Sequence, residues 1–576
     1  MGRASRKPPS RGSTRSSISA AAATSLGVVA FALYANALAA PFVFDDDHAI
    51  VVNEQIRHIS TSLAPTEQGS PLAGRPLVSL TFAVNYGFGG LDPRGYRLVN
   101  VAIHVINALL LFALARRHLD ERSAFAVALI WMVHPLATEP IDYVSQRTEL
   151  MMASFFLATV YFRGWWSVLC CALGMACKET MVVAPIIVIL YDRACGSRRQ
   201  GHDYAALCAT WLTLFALLWS SPRGDSAGFV GASVSPWEYL LDQSMMIVRY
   251  LRLAFWPRDL VLDYGEPSHV TFSQAAPYFV LVAALVAATI VAFIRKPPIG
   301  FLGAWFFLTL APTSSVMPIS TEVGAERRMY LPLIAIVVLA VTLAVRGFAG
   351  SRGRRFVFAG SVVLLCAATY QRNAEYRSGL TLWQTVLDRW PPHARAHRNL
   401  AAELKLANRP NEEIEHLRAA VKDLPEIRNI LGLELLALGR NTEAVDELQV
   451  YVRDNPRDAD AWANLGNALS ALNRDNEALQ AYQRAVDVDP NNGLSQRNLA
   501  LEYLQQNDFS NAVAHAREAV RLTPNDAAAH NLLGLSLIGA QKTDEAIAEF
   551  RASLAIQPAN NDASGYLERT LKATGR

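Results

Sequence analysis

The stretch Pro41-Phe42-Val43-Phe44-Asp45-Asp46-Asp47-His48 joins a long apolar segment to three consecutive carboxylates. The apolar segment covers residues 18–42 and is long enough to cross a bilayer as a helix. The carboxylates would then lie where a membrane helix meets water, and both their mutual repulsion and their desolvation oppose that position. Either the cluster is solvated beyond the lipid headgroups, or it is held at the membrane surface for a task.

Amino-acid usage divides the chain into two parts. Of the 576 residues, 52% are apolar and 18% are charged, and the net charge is +3. Almost all long apolar runs precede residue 370, whereas the remainder is polar with a helical pattern. We predict an all-α protein with a basic tail at 1–16, a membrane domain at 17–370, a linker at 371–390 and a soluble domain at 391–576. No basic patch with aromatic residues suggests nucleic acid as a partner.

The membrane domain is predicted to be polytopic, with about eleven transmembrane helices. The basic tail places the N-terminus in the cytoplasm, so residues 41–95 form a first outer loop. Ala37-Leu38-Ala39 also resembles a signal-peptide cleavage site, but the long apolar run and the later spans favour an uncleaved helix. Residues 237–256 contain Asp242, Arg249 and Arg252 and are predicted to lie at the outer face, because the later basic clusters then fall inside. The same alternation of successive spans across the membrane places the soluble domain at the outer side.

The soluble domain contains an internal repeat of 34 residues. Its period is set by Pro456, Pro490, Pro524 and Pro558, and alanines at matching positions recur with the same spacing. This is the helix–turn–helix pattern of the tetratricopeptide repeat (TPR). We predict an α-solenoid of about five repeats, closed by a polar C-terminal capping helix, that binds a polypeptide on its concave surface.

Ionisable residues are concentrated in the predicted outer turns of the membrane domain. They are Asp45, Asp46, Asp47, Arg75, His134, Glu139, Arg147, Glu149, Lys178, Glu179, Arg327 and Arg328. Each one alone is more readily explained as a solvated loop residue, but together they suit a reaction on a lipid-linked phosphate. Cations would hold the phosphate, and one carboxylate would take the proton from an attacking hydroxyl. Three adjacent acidic residues would also suit a divalent cation such as Mg²⁺ or Mn²⁺.

Several motifs resemble those of the TMTC-type transmembrane-and-TPR protein O-mannosyltransferases. They are Phe42–Ile50, Arg75-Pro76-Leu77, Asn85-Tyr86, Gly95–Asn100, His134-Pro135, Thr138-Glu139, Arg147–Leu150, Lys178-Glu179 and Glu326–Pro332, followed by the repeats. The resemblance implies a GT-C fold with the active site at the outer or lumenal face. It also implies a polyprenyl-phosphate sugar donor, which is dolichyl-phosphate mannose in eukaryotes, and Ser or Thr acceptors. The paired acidic motif of the family maps onto Asp45 and Asp46, and Asp47 leaves open which residue is the base.

These observations predict an inverting glycosyltransferase of a bacterial inner membrane with a periplasmic TPR domain, or of the ER membrane with a lumenal one. Asp45 or Asp46 would act as general base, and Arg147, Lys178 and Arg327 or Arg328 would hold the lipid phosphate. The remaining outer-face residues would bind substrate, support these groups or lie beside a metal. The sequence leaves two alternatives open. One is a membrane-anchored TPR scaffold for envelope assembly, and the other is a GT-C enzyme that acts on a lipid or glycan acceptor.

Overall fold

The computed structural model describes residues 19–63, 71–196, 199–220, 234–315, 317–347, 351–391 and 393–575. The chain forms two compact units, residues 1–392 and residues 393–576. Helices dominate both units, and the described residues contain no β-strand. The all-α prediction is therefore confirmed.

Unit 1 contains seventeen α-helices among its described residues. They are α1 (Ala20–Tyr34), α2 (Ile59–Ser62), α3 (Pro76–Gly89), α4 (Pro93–Ala115), α5 (Glu121–Met132), α6 (Glu139–Asp142), α7 (Arg147–Tyr161), α8 (Trp165–Met175), α9 (Ala184–Cys195), α10 (Gly201–Ala209), α11 (Trp211–Ser220), α12 (Pro236–Phe255), α13 (Phe272–Arg295), α14 (Pro297–Leu310), α15 (Pro332–Gly347), α16 (Ser351–Glu375) and α17 (Gly379–Arg389). Short 3₁₀ turns connect several of them, notably Pro135–Ala137, Val144–Gln146, Glu179–Val183 and Glu326–Met329.

Three helical stretches of the described chain are long and apolar enough to cross a membrane: Pro93–Ala115, Gly201–Ser220 and Phe272–Arg295. A fourth candidate, Glu121–Met132 with Pro135–Asp142, is bent by 63° at its break. Pro135 follows that break, and a proline cannot donate the backbone hydrogen bond that would continue the helix. Other apolar helices of unit 1, such as α1 and α15, are shorter than 18 residues. The count of about eleven spans therefore stays a prediction.

Helix α4 organises the interior of unit 1 with a polar stripe that packs against α5 and α7. Nδ1 of His104 lies 2.7 Å from the Tyr330 hydroxyl, and its Nε2 lies 2.9 Å from the Met132 carbonyl oxygen. The amide of Asn107 donates to the Leu150 carbonyl at 3.0 Å. These buried polar side chains bridge helices through hydrogen bonds, which keeps their polar atoms satisfied away from water.

Residues 371–390, predicted as a linker, are mostly helical and pack within unit 1. Helix α16 continues to Glu375, and α17 buries Leu382, Trp383 and Val386. The Trp383 ring contacts Phe44 edge-on, with 5.5 Å between ring centroids. The sequence pattern did not reveal this packing, because a helix of eleven residues with one apolar face does not show by itself which unit that face packs against.

Unit 2 is a stack of five helix pairs followed by one more helix. The helices are α18 (Ala394–Leu406), α19 (Pro410–Val421), α20 (Arg428–Ala437), α21 (Asn441–Asp454), α22 (Ala459–Ser470), α23 (Asp475–Val488), α24 (Gly493–Gln505), α25 (Phe509–Leu522), α26 (Ala527–Gly539), α27 (Thr543–Ile556) and α28 (Asn561–Ala573). Gly466 lets the paired helices approach closely, because a Cβ there would lie 2.5 Å from the Tyr482 ring. Left-handed residues join the two helices of several pairs: Gly439, Asn473, Asn507 and Gln541 all have positive φ. The predicted TPR solenoid is confirmed.

Candidate active site

Asp46 joins the loop after α1 to the turn after α6 through hydrogen bonds. Its side chain is fully buried, and its Oδ1 accepts a hydrogen bond from the Ser145 backbone N–H at 2.7 Å. Its Oδ2 accepts from the Val43 and Val144 N–H groups at 3.1 and 3.2 Å. Burial raises the pKa of Asp46 to about 6, although these N–H groups and the Arg97 guanidinium act in the opposite direction. Both carboxylate oxygens of Asp46 are therefore occupied by hydrogen bonds from backbone N–H groups.

Asp45 has a different environment from its neighbour. Its side chain is half-buried, and its backbone N–H donates to the Tyr143 hydroxyl at 3.2 Å. Burial raises the pKa of Tyr143 well above its ordinary value. The carboxylates of Asp45 and Asp46 and a hydrogen bond between the phenol and Asp45 raise it further, while Arg327 lowers it. Tyr143 therefore stays protonated, and its hydroxyl lies against Asp45.

The third carboxylate of the cluster points elsewhere. Asp47 is exposed and begins a short π-helical turn, Asp47–Val51. Burial raises its pKa, and His48 lowers it. The turn before it is strained, because Phe44 has a φ of 54°, which is uncommon for a bulky side chain. The three aspartates consequently face three different surroundings.

Arg327 and Arg328 share a carboxylate that the sequence analysis did not single out, Glu322. Arg327 binds Glu139 through its Nη1 at 2.5 Å and also pairs with Glu322. Arg328 binds Glu322 through its Nη2 at 3.0 Å and donates to the Thr313 carbonyl at 2.9 Å. Burial alone would raise the pKa of Glu322, but the two arginines lower it to about 2. This cluster is charged, internally paired and mostly buried.

Two further ion pairs connect predicted site residues. Lys178 Nζ lies 2.6 Å from Glu149 Oε2, with both side chains at most 10% exposed. The Lys178 charge also contributes to lowering the pKa of Glu322, so it lies close to the arginine cluster. Arg75 binds both oxygens of Glu179, at 3.0 and 3.1 Å. Each predicted cation of this face except Arg147 has a carboxylate partner.

Arg147 is fully buried and bonded to neutral acceptors. Its Nε donates to Asn100 Oδ1 at 2.7 Å, its Nη1 to Asn85 Oδ1 at 2.7 Å and to Thr81 at 3.1 Å, and its Nη2 to the Tyr96 carbonyl at 2.9 Å. These bonds occupy the guanidinium and join α3, α4 and α7. The structure therefore places Arg147 among helix-bridging groups and away from any opening of the site.

His134 also has a structural environment. It is nearly fully buried, with Nε2 3.1 Å from the Ala254 carbonyl oxygen and Nδ1 accepting from the Leu136 N–H at 3.2 Å. The ring caps the 3₁₀ turn that follows the break after α5. Both ring nitrogens are occupied in this arrangement, so neither is directed at a substrate or metal.

The aspartate cluster does not supply a metal site in the described part of the chain. No group of three or more His, Cys, Asp or Glu side chains there converges in a way that could hold a metal ion. Backbone N–H groups occupy the oxygens of Asp46, and Asp47 is directed away to the surface. The three consecutive carboxylates therefore do not fit the divalent cation that the sequence suggested as a candidate.

Sequence reasoning missed residues that hold the site together. Arg97 lies fully buried and donates to the carbonyl oxygens of Ala40 and Pro41, and its Nε donates to the Asp142 carbonyl at 3.1 Å. Tyr143 lies in sequence between the motifs Thr138-Glu139 and Arg147–Leu150, but an aromatic residue there gives no signal of its own. A search for polar residues alone cannot find it.

Comparison with solved structures finds helical-repeat proteins. The crystal structure of MamA is 20% identical with a TM-score of 0.27, and the overlap covers 29% of this chain and 92% of MamA. The TPR protein YrrB is 18% identical with a TM-score of 0.29, covering 32% of this chain and 96% of YrrB. Tetratricopeptide-repeat families match residues 459–492 and 497–561 of the sequence.

Curated relatives match the chain over longer segments. Protein O-mannosyl-transferase Tmtc1 of Drosophila melanogaster is 28% identical over 310 residues, which cover 45% of this chain and 36% of the relative. TMTC3 of Mus musculus is 31% identical over 207 residues, covering 34% of this chain and 22% of the relative. F38B6.6 of Caenorhabditis elegans is 23% identical over 408 residues, covering 64% of this chain and 58% of the relative. The matches thus span only part of each relative's length. The curated homologues of this chain are TMTC-family protein O-mannosyl-transferases, and tetratricopeptide repeats form its C-terminal region.

Proposed function

We propose that this protein is a multi-pass membrane glycosyltransferase that transfers a sugar, mannose by analogy with the relatives, from a polyprenyl-phosphate donor to Ser or Thr hydroxyls of proteins. One observation carries the proposal: the half-buried Asp45 donates its backbone N–H to the hydroxyl of the buried Tyr143, and the Arg327 guanidinium lowers the pKa of that same phenol. A carboxylate beside a cation is what an acceptor hydroxyl and a phosphate leaving group require. The names of the relatives support the same reaction class.

In the proposed reaction Asp45, rather than Asp46, is the general base. Asp45 takes the proton of the acceptor hydroxyl as that oxygen bonds to the anomeric carbon of the sugar. The bond between the anomeric carbon and the phosphate oxygen breaks on the opposite side, and the lipid phosphate leaves with the bonding electrons. The anomeric configuration is inverted because there is a single displacement. Asp46 cannot share this role while both of its oxygens bind backbone N–H groups.

Arg327 is the proposed contact of the lipid phosphate. Its side chain is 13% exposed, whereas that of Arg328 is 2% exposed and is further held by the Thr313 carbonyl. Lys178 lies near the same cluster and would add positive charge. Arg147 and His134 are assigned positioning roles because hydrogen bonds within the protein occupy them. Arg75 with Glu179 remains a candidate for substrate contact, since the Glu179 side chain is 41% exposed.

Unit 2 is proposed to bind the acceptor polypeptide at the outer or lumenal side of the membrane. In a bacterial cell this side is the periplasm, and in a eukaryotic cell it is the ER lumen. TPR solenoids ordinarily present a concave surface to peptides or proteins.

The test is sugar transfer by the purified protein in proteoliposomes. A synthetic polyprenyl-phosphate [³H]mannose serves as donor, and Ser/Thr-rich peptides serve as acceptors. Asp45→Asn should abolish labelling of the peptide. Glu54→Gln, which changes an exposed acid of the same loop, should retain it and is the matched control. Full activity of a correctly inserted Asp45→Asn protein would refute the assignment of the base.

A membrane-anchored scaffold is the second candidate, favoured by the ion pairs that engage Arg75, Lys178, Arg327 and Arg328 within the protein. A scaffold predicts no transfer by the unchanged protein, and a phenotype that depends on unit 2 and not on Asp45. A third outcome, label recovered in the lipid or glycan fraction instead of the peptide, would identify a different acceptor class for the same site.

A further inference from the structure

The turn that carries Asp45 depends on an unfavourable backbone conformation at the preceding residue. Phe44 has a φ of 54°, in the left-handed region where a Cβ is crowded by the backbone. The turn is closed by a hydrogen bond from the Asp46 N–H to the Val43 carbonyl oxygen at 3.1 Å. Phe44 and Asp45 are its two central residues, so a return of Phe44 to negative φ would redirect Asp45. Neighbouring groups must therefore hold Phe44 in this conformation.

Two aromatic rings contact the Phe44 side chain. The centroid of the Phe44 ring lies 5.5 Å from that of Trp383, and the two planes meet edge-on at 74°. The same centroid lies 6.1 Å from that of Tyr143, with 48° between the planes. Both distances fall in the range that aromatic pairs prefer, so both contacts are favourable. Phe44 is thus held by one ring from the turn after α6 and by another from α17.

The two rings stand in different relations to the candidate site. The Tyr143 hydroxyl accepts a hydrogen bond from the Asp45 N–H at 3.2 Å, so Tyr143 contacts the proposed base directly. Trp383 comes from a helix far along the chain and is only 4% exposed. A ring buried to that extent is in no position to contact a donor or an acceptor. Any effect of Trp383 on sugar transfer must therefore pass through Phe44.

Polar contacts attach the C-terminal end of α17 to other segments of unit 1. Arg389 donates to the Leu260 carbonyl oxygen at 2.7 Å, and its Nη2 lies 2.6 Å from Glu375 Oε1. The Trp390 indole N–H donates to the Tyr264 carbonyl oxygen at 2.9 Å. These bonds connect α17 to the end of α16 and to the segment that follows α12. The helix is therefore a firmly attached support for the indole ring that faces the Asp45 turn.

We propose that Trp383 is a positioning residue for Asp45, because its ring keeps Phe44 in the left-handed conformation that directs Asp45 toward the acceptor hydroxyl. The role of Asp45 as base rests on the proposed function, whereas the support of the turn does not. Loss of the ring would let Phe44 relax to negative φ and would move the carboxylate out of reach. A transferase domain that ended at residue 370 would accordingly lack the support of its own base.

The test compares substitutions at both ends of this ring contact with a matched control. Trp383→Leu removes the ring from α17, and Phe44→Leu removes it from the turn, at a position that is only partly buried. We refer to these two as the ring-removing variants. Trp383→Phe keeps an aromatic ring on α17 and is the conservative change. Leu382→Ala removes another fully buried side chain from the same helix and is the control.

Hydrogen–deuterium exchange of the full chain in lipid nanodiscs measures the turn independently of activity. Peptides that cover residues 41–52 report on it, because the N–H groups of all three aspartates donate hydrogen bonds there. The ring-removing variants should speed exchange in these peptides roughly threefold to tenfold, since an aromatic contact is lost. Trp383→Phe and Leu382→Ala should leave this exchange unchanged.

Sugar transfer in proteoliposomes measures the effect on the base. The ring-removing variants should lower kcat about 10- to 100-fold with an unchanged KM for the donor, because a misplaced base weakens only the transition state. Trp383→Phe should retain most of the activity, and Leu382→Ala should retain it at a lower Tm. In the Asp45→Asn protein, which has no base to position, Trp383→Leu should cause no further loss.

Unchanged exchange or an unchanged kcat in the ring-removing variants would overturn the proposal. A loss of kcat that persists in full in the Asp45→Asn protein would also overturn it, because that loss would reflect a general structural effect. Absence of transfer by the unchanged protein, together with faster exchange in the ring-removing variants alone, would refute the proposed reaction and leave the support of the turn intact. Transfer by the unchanged protein that does not respond to Trp383→Leu or Phe44→Leu would refute this inference alone.

Discussion

The two units differ in how far the charged side chains of their ion pairs are exposed to water. In unit 1 several pairs are buried: Lys178 with Glu149 is at most 10% exposed, and Arg372 with Glu326 is at most 2% exposed. In unit 2 an arginine at the start of a second helix pairs with a glutamate three residues later, and Arg474 with Glu477 is 40% and 51% exposed. The same residue types therefore occupy a low-dielectric interior in one unit and water in the other.

The difference teaches that charge content alone does not mark a functional surface. Exposed pairs contribute little, because the attraction in water is weak and ordering two long side chains opposes it. A buried pair is costly to desolvate, and removing one member leaves an unpaired charge that is far more damaging. Buried pairs such as Lys178 with Glu149 therefore serve to position their neighbours, whereas the half-buried Asp45 is the carboxylate proposed to act on the acceptor.

The largest effect should come from Asp45, the carboxylate of its cluster that is half-exposed and hydrogen-bonded to a phenol. We expect Asp45→Asn to lower kcat for sugar transfer about 100- to 10,000-fold, because a general base contributes that much. The Tm should change little, since asparagine is close to aspartate in size and shape and the side chain is only half-buried. Tyr143→Phe removes the hydroxyl that accepts a hydrogen bond from the Asp45 backbone N–H. This variant should lower kcat by a smaller factor than Asp45→Asn. If Asp45→Asn lowered the Tm strongly as well as the activity, Asp45 would have a structural role.

Breaking a buried ion pair of unit 1 tests its difference from the exposed ion pairs of unit 2 most directly. Lys178→Met leaves Glu149 buried without its partner, and we expect a loss of about 3–5 kcal/mol in unfolding free energy. Thermal unfolding in detergent measures this change. The double variant Lys178→Met/Glu149→Gln should recover most of the loss, because the remaining charge is also removed. A double variant as unstable as the single one would show that the pair itself, and not the orphaned charge, provides the stability.

Asp46 should give an intermediate effect with a defined pH dependence. In Asp46→Asn the amide can accept at one atom only, so bonds from the Val43, Val144 or Ser145 N–H groups are lost, at a cost of about 2 kcal/mol. Burial raises the pKa of Asp46 to about 6, so the folded protein retains a proton that the unfolded chain has already released. Stability should therefore fall as the pH rises from about 4 to about 6.

The Asp46→Asn protein should lack this component of the pH dependence, and thermal unfolding across that pH range checks it. A wild-type Tm that rises over the same range, with no difference between the two proteins, would contradict the assignment of the titration to Asp46.

The smallest effect should come from an exposed pair of unit 2. Arg474→Ala should leave the Tm within about 1 °C of the unchanged protein, because an exposed ion pair is weak and the Arg474 side chain makes no capping hydrogen bond to the helix. Raising the salt concentration should remove even that difference, since the charges are screened. A fall in Tm as large as that of Lys178→Met would contradict the distinction between the buried ion pairs of unit 1 and the exposed ion pairs of unit 2.

The sequence alone determined the parts of this protein that depend on local pattern. The 34-residue period predicted the TPR solenoid, because each repeat must present the same small and apolar positions to its neighbours. The apolar runs predicted a helical membrane domain, and the ordered motifs indicated the relationship that the curated homologues show. All twelve predicted site residues also lie within unit 1.

Only the tertiary structure decided which of those residues are available for chemistry. Asp45 and Asp46 are adjacent and chemically identical, yet one is half-exposed and the other binds three backbone N–H groups from two separate segments. Arg147 and Arg327 are likewise the same residue type, but one bridges helices while the other borders the candidate site. Burial and hydrogen-bond partners come from segments distant in the chain, and no local pattern records which segments will meet. That physical fact separates what the sequence could predict from what the fold decided.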